Sequence, residues 1–407
     1  MAGFSPYGHC WTMTFPRYKI LFLAGSYPNK YSPVSGIFIR KHALAISRSS
    51  ELYVLYLHPD PDLKDQRMVQ DFSCENGIRT LRCYYKPLPA TIRFVSGFAN
   101  LMLHTMVGIS CLREIAKRFG RPDILHISLP RNAGLIPLIL KLIKGIPYII
   151  TEHSTEYTAW DGSYAKLSYP NRLLTQIIYR HASAITAVSR SLLEALRSQR
   201  LVKSNDTVIP NVIDGAPRDM PVRKDRPPLR IITISMLNDR QKNVSGLLKA
   251  FHDLEGNHPD IELHILGDGD DKERLVDLAS DLGMLNRSVF FHGYVPNEEI
   301  HRYFRNSHFF VLNSDFETFS VATAESLAHG VPVVVTRSGG PEEYVSGELG
   351  ILVDRRDVEG LVRGLEFMVE NWSEFDPQVL RNSVMDRFGE EKVGRQFLEL
   401  YRSLLAT

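Results

Sequence analysis

Two glutamates with seven residues between them open the chemical reading of this chain. Glu317 and Glu325 lie in Asn313–Val334, NSDFETFSVATAESLAHGVPVV. An apolar run, Phe309–Leu312, reads as a strand that ends in an acidic, aromatic loop. A helix is expected from about Ser320 to His329, stopped by Gly330. Glu317 then stands at the helix mouth, and Glu325 lies about two turns in. The amides of Thr318, Phe319, Ser320 and Val321 are the unpaired donors of such a start. They make a ready anion site, with the helix dipole favouring a phosphate. Two glutamates alone would read as a cap and a solvated side chain. The loop, the helix and the following Gly-Val-Pro-Val-Val strand together read as a site.

Three more segments place reactive groups just after strands. Ser235–Asn243, SMLNDRQKN, carries Arg240 and Lys242, which as a bare turn would be solvated. Ser26–Ala43, SYPNKYSPVSGIFIRKHA, links a strand to a helix. Gly36 sits just ahead of that helix, where a side chain would obstruct close approach. Thr151–Tyr157, TEHSTEY, puts His153 at the carboxyl edge of a strand, the ligand-binding face of α/β sheets. A lone histidine is more often structural, and position and context argue for function here. Asp268-Gly269-Asp270 spells a metal-diphosphate motif of other folds. It is crowded by Asp271 and Glu273 and reads as a solvated turn. Gly267-Asp268-Gly269 lacks the third glycine of a dinucleotide fingerprint. The 14 histidines show no HxH or HExxH spacing, so no zinc site is expected.

Short apolar runs alternate with helical patterns along the chain. Expected strands in the first half are Ile20–Gly25, Leu52–His58, Ile124–Ser128, Pro147–Glu152 and Ala184–Ser189. In the second they are Leu229–Ser235, Ile261–Gly267, Val289–His292, Phe309–Leu312 and Pro332–Thr336. Runs such as LRIITIS and VPVVV are apolar on both faces, as buried parallel strands are. Repeated βα units in two series predict two Rossmann-like domains. Asp214–Pro228, DGAPRDMPVRKDRPP, has four prolines and no apolar period, and reads as the linker. The expected organisation is an N-terminal extension 1–17, a Rossmann-like domain 18–213, a linker 214–228, a second Rossmann-like domain 229–388 and a C-terminal helix 389–407.

The chain has 407 residues, 44% hydrophobic and 23% charged, which excludes disordered and disulfide-scaffold classes. Four cysteines without CxxC spacing suggest neither metal nor disulfide framework and fit a reducing compartment. The first eighteen residues lack the cationic start and apolar core of a signal peptide. Residues 1–215 hold 26 Lys/Arg against 14 Asp/Glu, whereas residues 216–407 hold 22 against 32. A basic first half calls for an anionic partner, either a membrane surface or a phosphate-bearing substrate. No basic run or motif argues for nucleic acid. Phe94–Leu112 runs nineteen residues without Asp, Glu, Lys or Arg. Its Ser, Asn, His and Gly interruptions read as a buried helix, with a membrane-facing helix as the alternative.

The Glu317–Glu325 segment resembles the E-x7-E signature of the retaining family 4 glycosyltransferases, which have the GT-B fold. Agreement runs from Ser314 through Glu317, Phe319, Glu325, Ala328, Gly330, Pro332 and Val333 to Gly339, Gly340 and Pro341. The resemblance implies that Glu325 binds the nucleotide ribose and Glu317 the donor-sugar hydroxyls, with the amides of Thr318, Phe319 and Ser320 meeting the sugar and diphosphate. Lys242 matches the family lysine that neutralises the diphosphate. The usual arginine is replaced by Met236, with Arg240 as its substitute. Gly36 matches the loop that closes over the donor phosphates, and His153 the histidine facing the reacting sugar. Val188-Ser189-Arg190 and Ile209–Asp214 match further landmarks.

The fold that the resemblance implies is therefore α/β, GT-B, with two Rossmann-like domains facing each other across a cleft, 18–213 binding the acceptor and 229–388 the nucleotide-sugar donor, and with the C-terminal helix 389–407 crossing back to the first domain. The expected activity is retaining, metal-independent sugar transfer (hexosyl or N-acetylhexosaminyl) from a nucleotide-sugar, with no cofactor. The acceptor is expected to be a glycan or lipid-diphosphate-linked glycan in cell-surface polysaccharide synthesis. The expected location is cytoplasmic, at the inner face of the membrane, with peripheral contact to anionic lipid. The alternatives are a non-transferring GT-B enzyme such as a nucleotide-sugar 2-epimerase, and an inactive GT-B subunit.

Overall fold

The computed structural model describes residues 18–64, 66–89, 95–130, 133–203, 206–215 and 227–406. The expected extension 1–17 and linker residues 216–226 lie outside the described residues.

Runs too apolar to face water form the centre of two sheets. In the first half the elements are β1 (Lys19–Ala24), α1 (Ile37–Ser47), β2 (Glu51–Pro59), β3 (Met68–Glu75), β4 (Ile78–Tyr85), α2 (Val95–Phe119), β5 (Ile124–Ser128), α3 (Leu135–Lys144), β6 (Tyr148–Glu152), α4 (Tyr169–His181), β7 (Ala184–Ala187), α5 (Arg190–Ser198) and β8 (Thr207–Val208). The strand order is β3-β4-β2-β1-β5-β6-β7-β8. All neighbours are parallel except β3 and β4. That pair is a hairpin the apolar-run reading does not contain. Asn76 and Gly77, both at positive φ, make its two-residue turn.

The second half supplies β9 (Leu229–Ile234), α6 (Asp239–Lys242), α7 (Val244–Asn257), β10 (Ile261–Leu266), α8 (Lys272–Asp281), β11 (Val289–Gly293), α9 (Asn297–Arg305), β12 (Phe309–Leu312), α10 (Val321–Ala328), β13 (Val333–Thr336), β14 (Gly350–Val353), α11 (Val358–Asn371), α12 (Pro377–Phe388) and α13 (Glu390–Leu405). Its six strands are all parallel, in the order β11-β10-β9-β12-β13-β14. The order reverses beside β9, so the loops after β9 and β12 open at the switch point where α/β sheets bind ligands.

The chain passes between the halves at two places that touch. The Ile213 amide donates to the Phe388 carbonyl at 2.9 Å, and Ile213 bridges Gly389. Beyond that point α13 lies on α1, so close that a methyl on Gly394 would sit 2.6 Å from the Ala45 carbonyl. Val393, Phe397 and Tyr401 join Ile20, Phe22, Ile39 and Val54 in one buried cluster.

Phe94 lies outside the described residues, and the rest of the Phe94–Leu112 stretch is part of α2. Its expected burial is corrected: Cys111 and Leu112 are buried, but Phe98 and Met106 are exposed. The described part of the helix thus covers the sheet with one face. Among the described residues no helix is long and apolar enough to cross a membrane.

Candidate active site

Three loops of the second half converge on Glu317. After β12, the Asn313 side-chain amide donates to the Asn243 carbonyl at 3.1 Å. The Asp315 amide donates to the Gln241 carbonyl at 2.7 Å, and the Gln241 side chain returns a bond to the Phe316 carbonyl at 3.0 Å. The Glu317 loop is thereby fixed to α6. Lys242 Nζ then meets Glu317 Oε1 at 2.5 Å, and Ser314 Oγ donates to the same oxygen at 2.7 Å. The two charged side chains are only 15% and 9% exposed. At that depth each charge depends on the other.

The helix that follows begins at Val321, one residue later than the sequence implies. Ser320 precedes it in the left-handed region, at φ 65° and ψ 81°. A non-glycine residue there costs about 1–3 kcal/mol and persists only where its surroundings enforce it. Tyr344 Oη does so, donating to the Phe319 and Ser320 carbonyls at 3.1 and 2.9 Å. Burial first, then the Glu317 charge, push the Tyr344 pKa well up, so it remains a donor. Gly340 lies directly below: a methyl there would sit 2.5 Å from Phe319 Cα. The Phe319 ring packs between Tyr344 and Phe388 in the core, so only its backbone can meet a ligand. The Ala324 amide donates to the Ser320 carbonyl at 3.3 Å, the first bond of the helix. Thr318 is half-buried beside this turn.

From the other half, α1 brings several groups to the same region. Gly36 caps α1 at φ 65°, and a methyl there would lie 2.5 Å from the Ser26 carbonyl group. Glycine is required on both counts. One turn on, Lys41 Nζ contacts Glu325 Oε1 at 2.8 Å and Asp214 Oδ2 at 3.1 Å. Burial opposes the Lys41 charge, but Glu325 and Asp214 outweigh it and raise its pKa. Glu325 is thus joined across the cleft to a residue that sequence reasoning did not single out. The sequence signal was a lysine on the helix after the glycine turn, within the basic half.

His153 is 7% exposed, its ring 4.8 Å from Phe38 and 5.3 Å from His42. Asn211 lies beside it, yet neither ring nitrogen completes a hydrogen bond. Burial foremost, then His42 and His126, hold its pKa well below the usual value, so the ring is neutral. His42 binds the Pro210 carbonyl at 2.8 Å, and burial lowers its pKa to about 4. Next to His153, Glu152 is enclosed: Tyr179 Oη and the amides of His153 and Ser154 donate to it. Burial is the dominant effect and raises its pKa to about 7.

The structure therefore joins Lys242 with Glu317, and places Gly36, His153 and Glu325 around α1. Arg240 goes elsewhere. Its guanidinium lies 5.3 Å over the Trp160 ring, on the loop after His153. Phe316, next to Glu317, stacks on the same indole at 6.2 Å and 12°. A further tie is Glu343, whose carboxylate accepts the Arg190 and Ser191 amides at the start of α5, at 2.8 and 2.6 Å. Met236 is exposed. Asp268 takes Lys272 at 3.2 Å, and Asp271 takes the Asp239 amide at 2.8 Å. Among the described residues no three His, Cys, Asp or Glu side chains gather as metal ligands.

Two family descriptions match the chain: "Glycosyl transferases group 1" over residues 221–383 and "Glycosyltransferase Family 4" over residues 48–216. The lipopolysaccharide core biosynthesis glycosyltransferase LpsE of Rhizobium meliloti is 29% identical over 328 residues, covering 77% of this chain and 84% of LpsE. Sucrose-phosphate synthase from Thermosynechococcus elongatus superposes with a TM-score of 0.74 at 19% identity, over 96% of this chain and 100% of that one. Anabaena HepE, in complex with UDP and glucose, superposes with a TM-score of 0.70 at 17% identity, over 95% and 100%.

Proposed function

The chain belongs to the group 1 glycosyltransferases with the GT-B fold, and from that premise we propose that it transfers a sugar from a nucleotide-sugar to a glycan acceptor with retention of anomeric configuration. The Lys242–Glu317 pair at the mouth of α10 carries this reading. When the bond from the anomeric carbon to the phosphate oxygen breaks, negative charge collects on the departing diphosphate. Lys242 and the amides of Thr318–Ser320 offer a fixed positive field for it, in a site already largely shielded from water. Glu317, held by Ser314 and Lys242, accepts the donor-sugar hydroxyls. Glu325 takes the ribose hydroxyls when it gives up Lys41. Gly36 lets its turn close over the phosphates. Arg240 supplies a second cation once it leaves Trp160.

The acceptor oxygen attacks from the face the diphosphate leaves, and its proton passes to the departing phosphate oxygen. His153, neutral and with unpaired ring nitrogens, positions the reacting sugar. With lysine and amides opposite the leaving group, the step needs no divalent cation and no cofactor.

The similarity to LpsE, a lipopolysaccharide core biosynthesis glycosyltransferase, supports an acceptor from cell-surface polysaccharide synthesis, and we infer a glycan or a lipid-diphosphate-linked glycan as that acceptor. The end of α3 supports peripheral contact with anionic lipid at the cytoplasmic membrane face. Leu142 and Ile143 are 65% and 74% exposed there, between Lys141 and Lys144.

The test is a thermal-shift screen against UDP, GDP, ADP and their sugars, with and without EDTA. HepE, whose structure holds UDP and glucose, makes UDP the first nucleotide to try. A shift from one nucleotide class that persists in EDTA, followed by metal-free transfer with retained configuration, is expected. Abolition of binding by EDTA would remove the metal-independent mechanism, and an inverted product the retaining one.

A further inference from the structure

Glu325 projects from α10 of the second half and Lys41 from α1 of the first, and the two meet across the cleft, Nζ to Oε1 at 2.8 Å. The Lys41 side chain is 7% exposed and that of Glu325 16%, so little of the carboxylate is left open. A ribose that is to reach Glu325 comes through the same cleft. Its hydroxyls need an oxygen that the ammonium covers.

Lys41 has a second anion. Asp214 Oδ2 lies 3.1 Å from Nζ, on a side chain that is 67% exposed, where the chain leaves the first half. Burial disfavours the ammonium, and Glu325 and Asp214 more than restore it, so Lys41 stays charged. A buried ion with no partner is strongly unfavourable. Lys41 that loses Glu325 still keeps Asp214, so it is never stranded. The halves do not part either. The Glu343 carboxylate on the α5 amides and the Ile213 bond to Phe388 involve neither Lys41 nor Glu325. The contact between Lys41 and Glu325 can therefore be given up by itself.

We propose that Lys41 sets the nucleotide affinity of the donor site by competing with the ribose for Glu325, and that Asp214 sets how readily Lys41 lets go. The inference rests on the donor-site reading above and deepens it. The chains able to bind are those in which Glu325 is free, and the apparent affinity falls with that fraction. Lys41 acts through Glu325, so it is a positioning residue. Competition also reverses the signs that charge alone would give. A nucleoside diphosphate is an anion. By charge alone, removing a lysine beside it weakens binding and removing an aspartate strengthens it. Competition predicts the opposite for both residues.

The experiment is titration calorimetry of the full chain with UDP, GDP and ADP, continued with whichever binds most tightly. Lys41→Met, which keeps the apolar stem, should bind it about fivefold or more tighter than the parent. Asp214→Asn, a change at an exposed side chain, should bind it about fivefold or more weaker, because freeing Glu325 now strands the Lys41 ammonium. In a Glu325→Ala background the gain from Lys41→Met should vanish, since nothing is left to compete for. Equal or weaker binding by a folded Lys41→Met chain overturns the inference, and so does equal or tighter binding by Asp214→Asn. The aspartate variant decides alone if Lys41→Met does not fold. In each of these outcomes nucleotide binding by the parent, lowered in Glu325→Ala, leaves the donor-site reading standing. A parent chain that binds none of the three nucleotides overturns both.

Discussion

Lys242 has two separable duties, and one substitution tests both. Lys242→Met keeps the apolar stem and removes the ammonium that stands 2.5 Å from Glu317. Glu317, 9% exposed, then retains the Ser314 hydroxyl but no cation. Breaking a buried pair from one side costs about 3–5 kcal/mol, because the remaining charge is uncompensated. Losing a fixed donor to the leaving group costs a further ~3–4 kcal/mol in the transition state, a fall in turnover of about 10²–10³. The double variant Lys242→Met/Glu317→Gln no longer holds an orphan charge. Its stability should return to within about 1–2 kcal/mol of the parent, whereas turnover should stay low. Urea unfolding gives the first quantity, and donor hydrolysis with the nucleotide-sugar selected by thermal shift gives the second. If turnover returned together with stability in the double variant, Lys242 would be a structural ion and the leaving-group argument would fail. A single variant as stable as the parent would refute the burial argument instead.

Glu325→Ala should weaken binding of the selected nucleotide about tenfold or more by calorimetry, because a charged acceptor for the ribose is lost; unchanged affinity would remove it from the donor site. Gly36→Ala places a methyl 2.5 Å from the Ser26 backbone at φ 65°. It should cost about 2 kcal/mol or more in urea unfolding, and neutrality would mean that the turn is not held as described. Glu152 gives a pH prediction. Burial raises its pKa from 4.5 to about 7, so the folded chain binds its proton more tightly than the unfolded chain. Its contribution to stability is full below about pH 4.5, falls as pH rises through about 7, and is flat above. Over that window the parent should lose about 3 kcal/mol relative to Glu152→Gln, and a pH-independent difference between the two would contradict the shift. Leu142→Ser/Ile143→Ser should reduce cosedimentation with phosphatidylglycerol vesicles several-fold, and retention in the pellet would move any lipid contact off α3.

Most parallel strands were legible because burial on both faces leaves continuous apolar runs, as in KILFLA of β1 and VVVT of β13, whereas the short edge strands β8 and β14 were not singled out. The hairpin β3–β4 was not, because its strands mix charged residues into their pattern. MVQDFSCE and IRTLRCYY contain no long apolar run, and only the Asn76-Gly77 turn marks them. At the site, the glutamates, Lys242, Gly36 and His153 could be singled out because each sits next to a strand end or a helix start. What escaped were contacts between the halves: Lys41 with Glu325, Trp160 with Phe316 and Arg240, Glu343 with the α5 amides. These join residues 80 or more positions apart, and no local spacing encodes them. Nor did the pattern show that Ser320 is left-handed. Nothing in a serine ahead of a helix demands that conformation, and it is imposed from outside by Tyr344 and Gly340.

The position of α13 has a consequence for how the chain is made. Val393, Phe397 and Tyr401 belong to the core around β1 and α1, yet they leave the ribosome roughly 175 residues after Gly215, a delay of about 10–35 s at ordinary synthesis rates. Through that interval the first half has its sheet but not the helix that covers one flank of it. Ile20-side apolar surface, and the His42 and His126 rings that Phe397 touches, stay open to solvent or to a chaperone. Nascent chains arrested before residue 390 should therefore be cut by protease within α1, and chains released at full length should not. Synthesis of the second half and completion of the first are, on this topology, a single event in time.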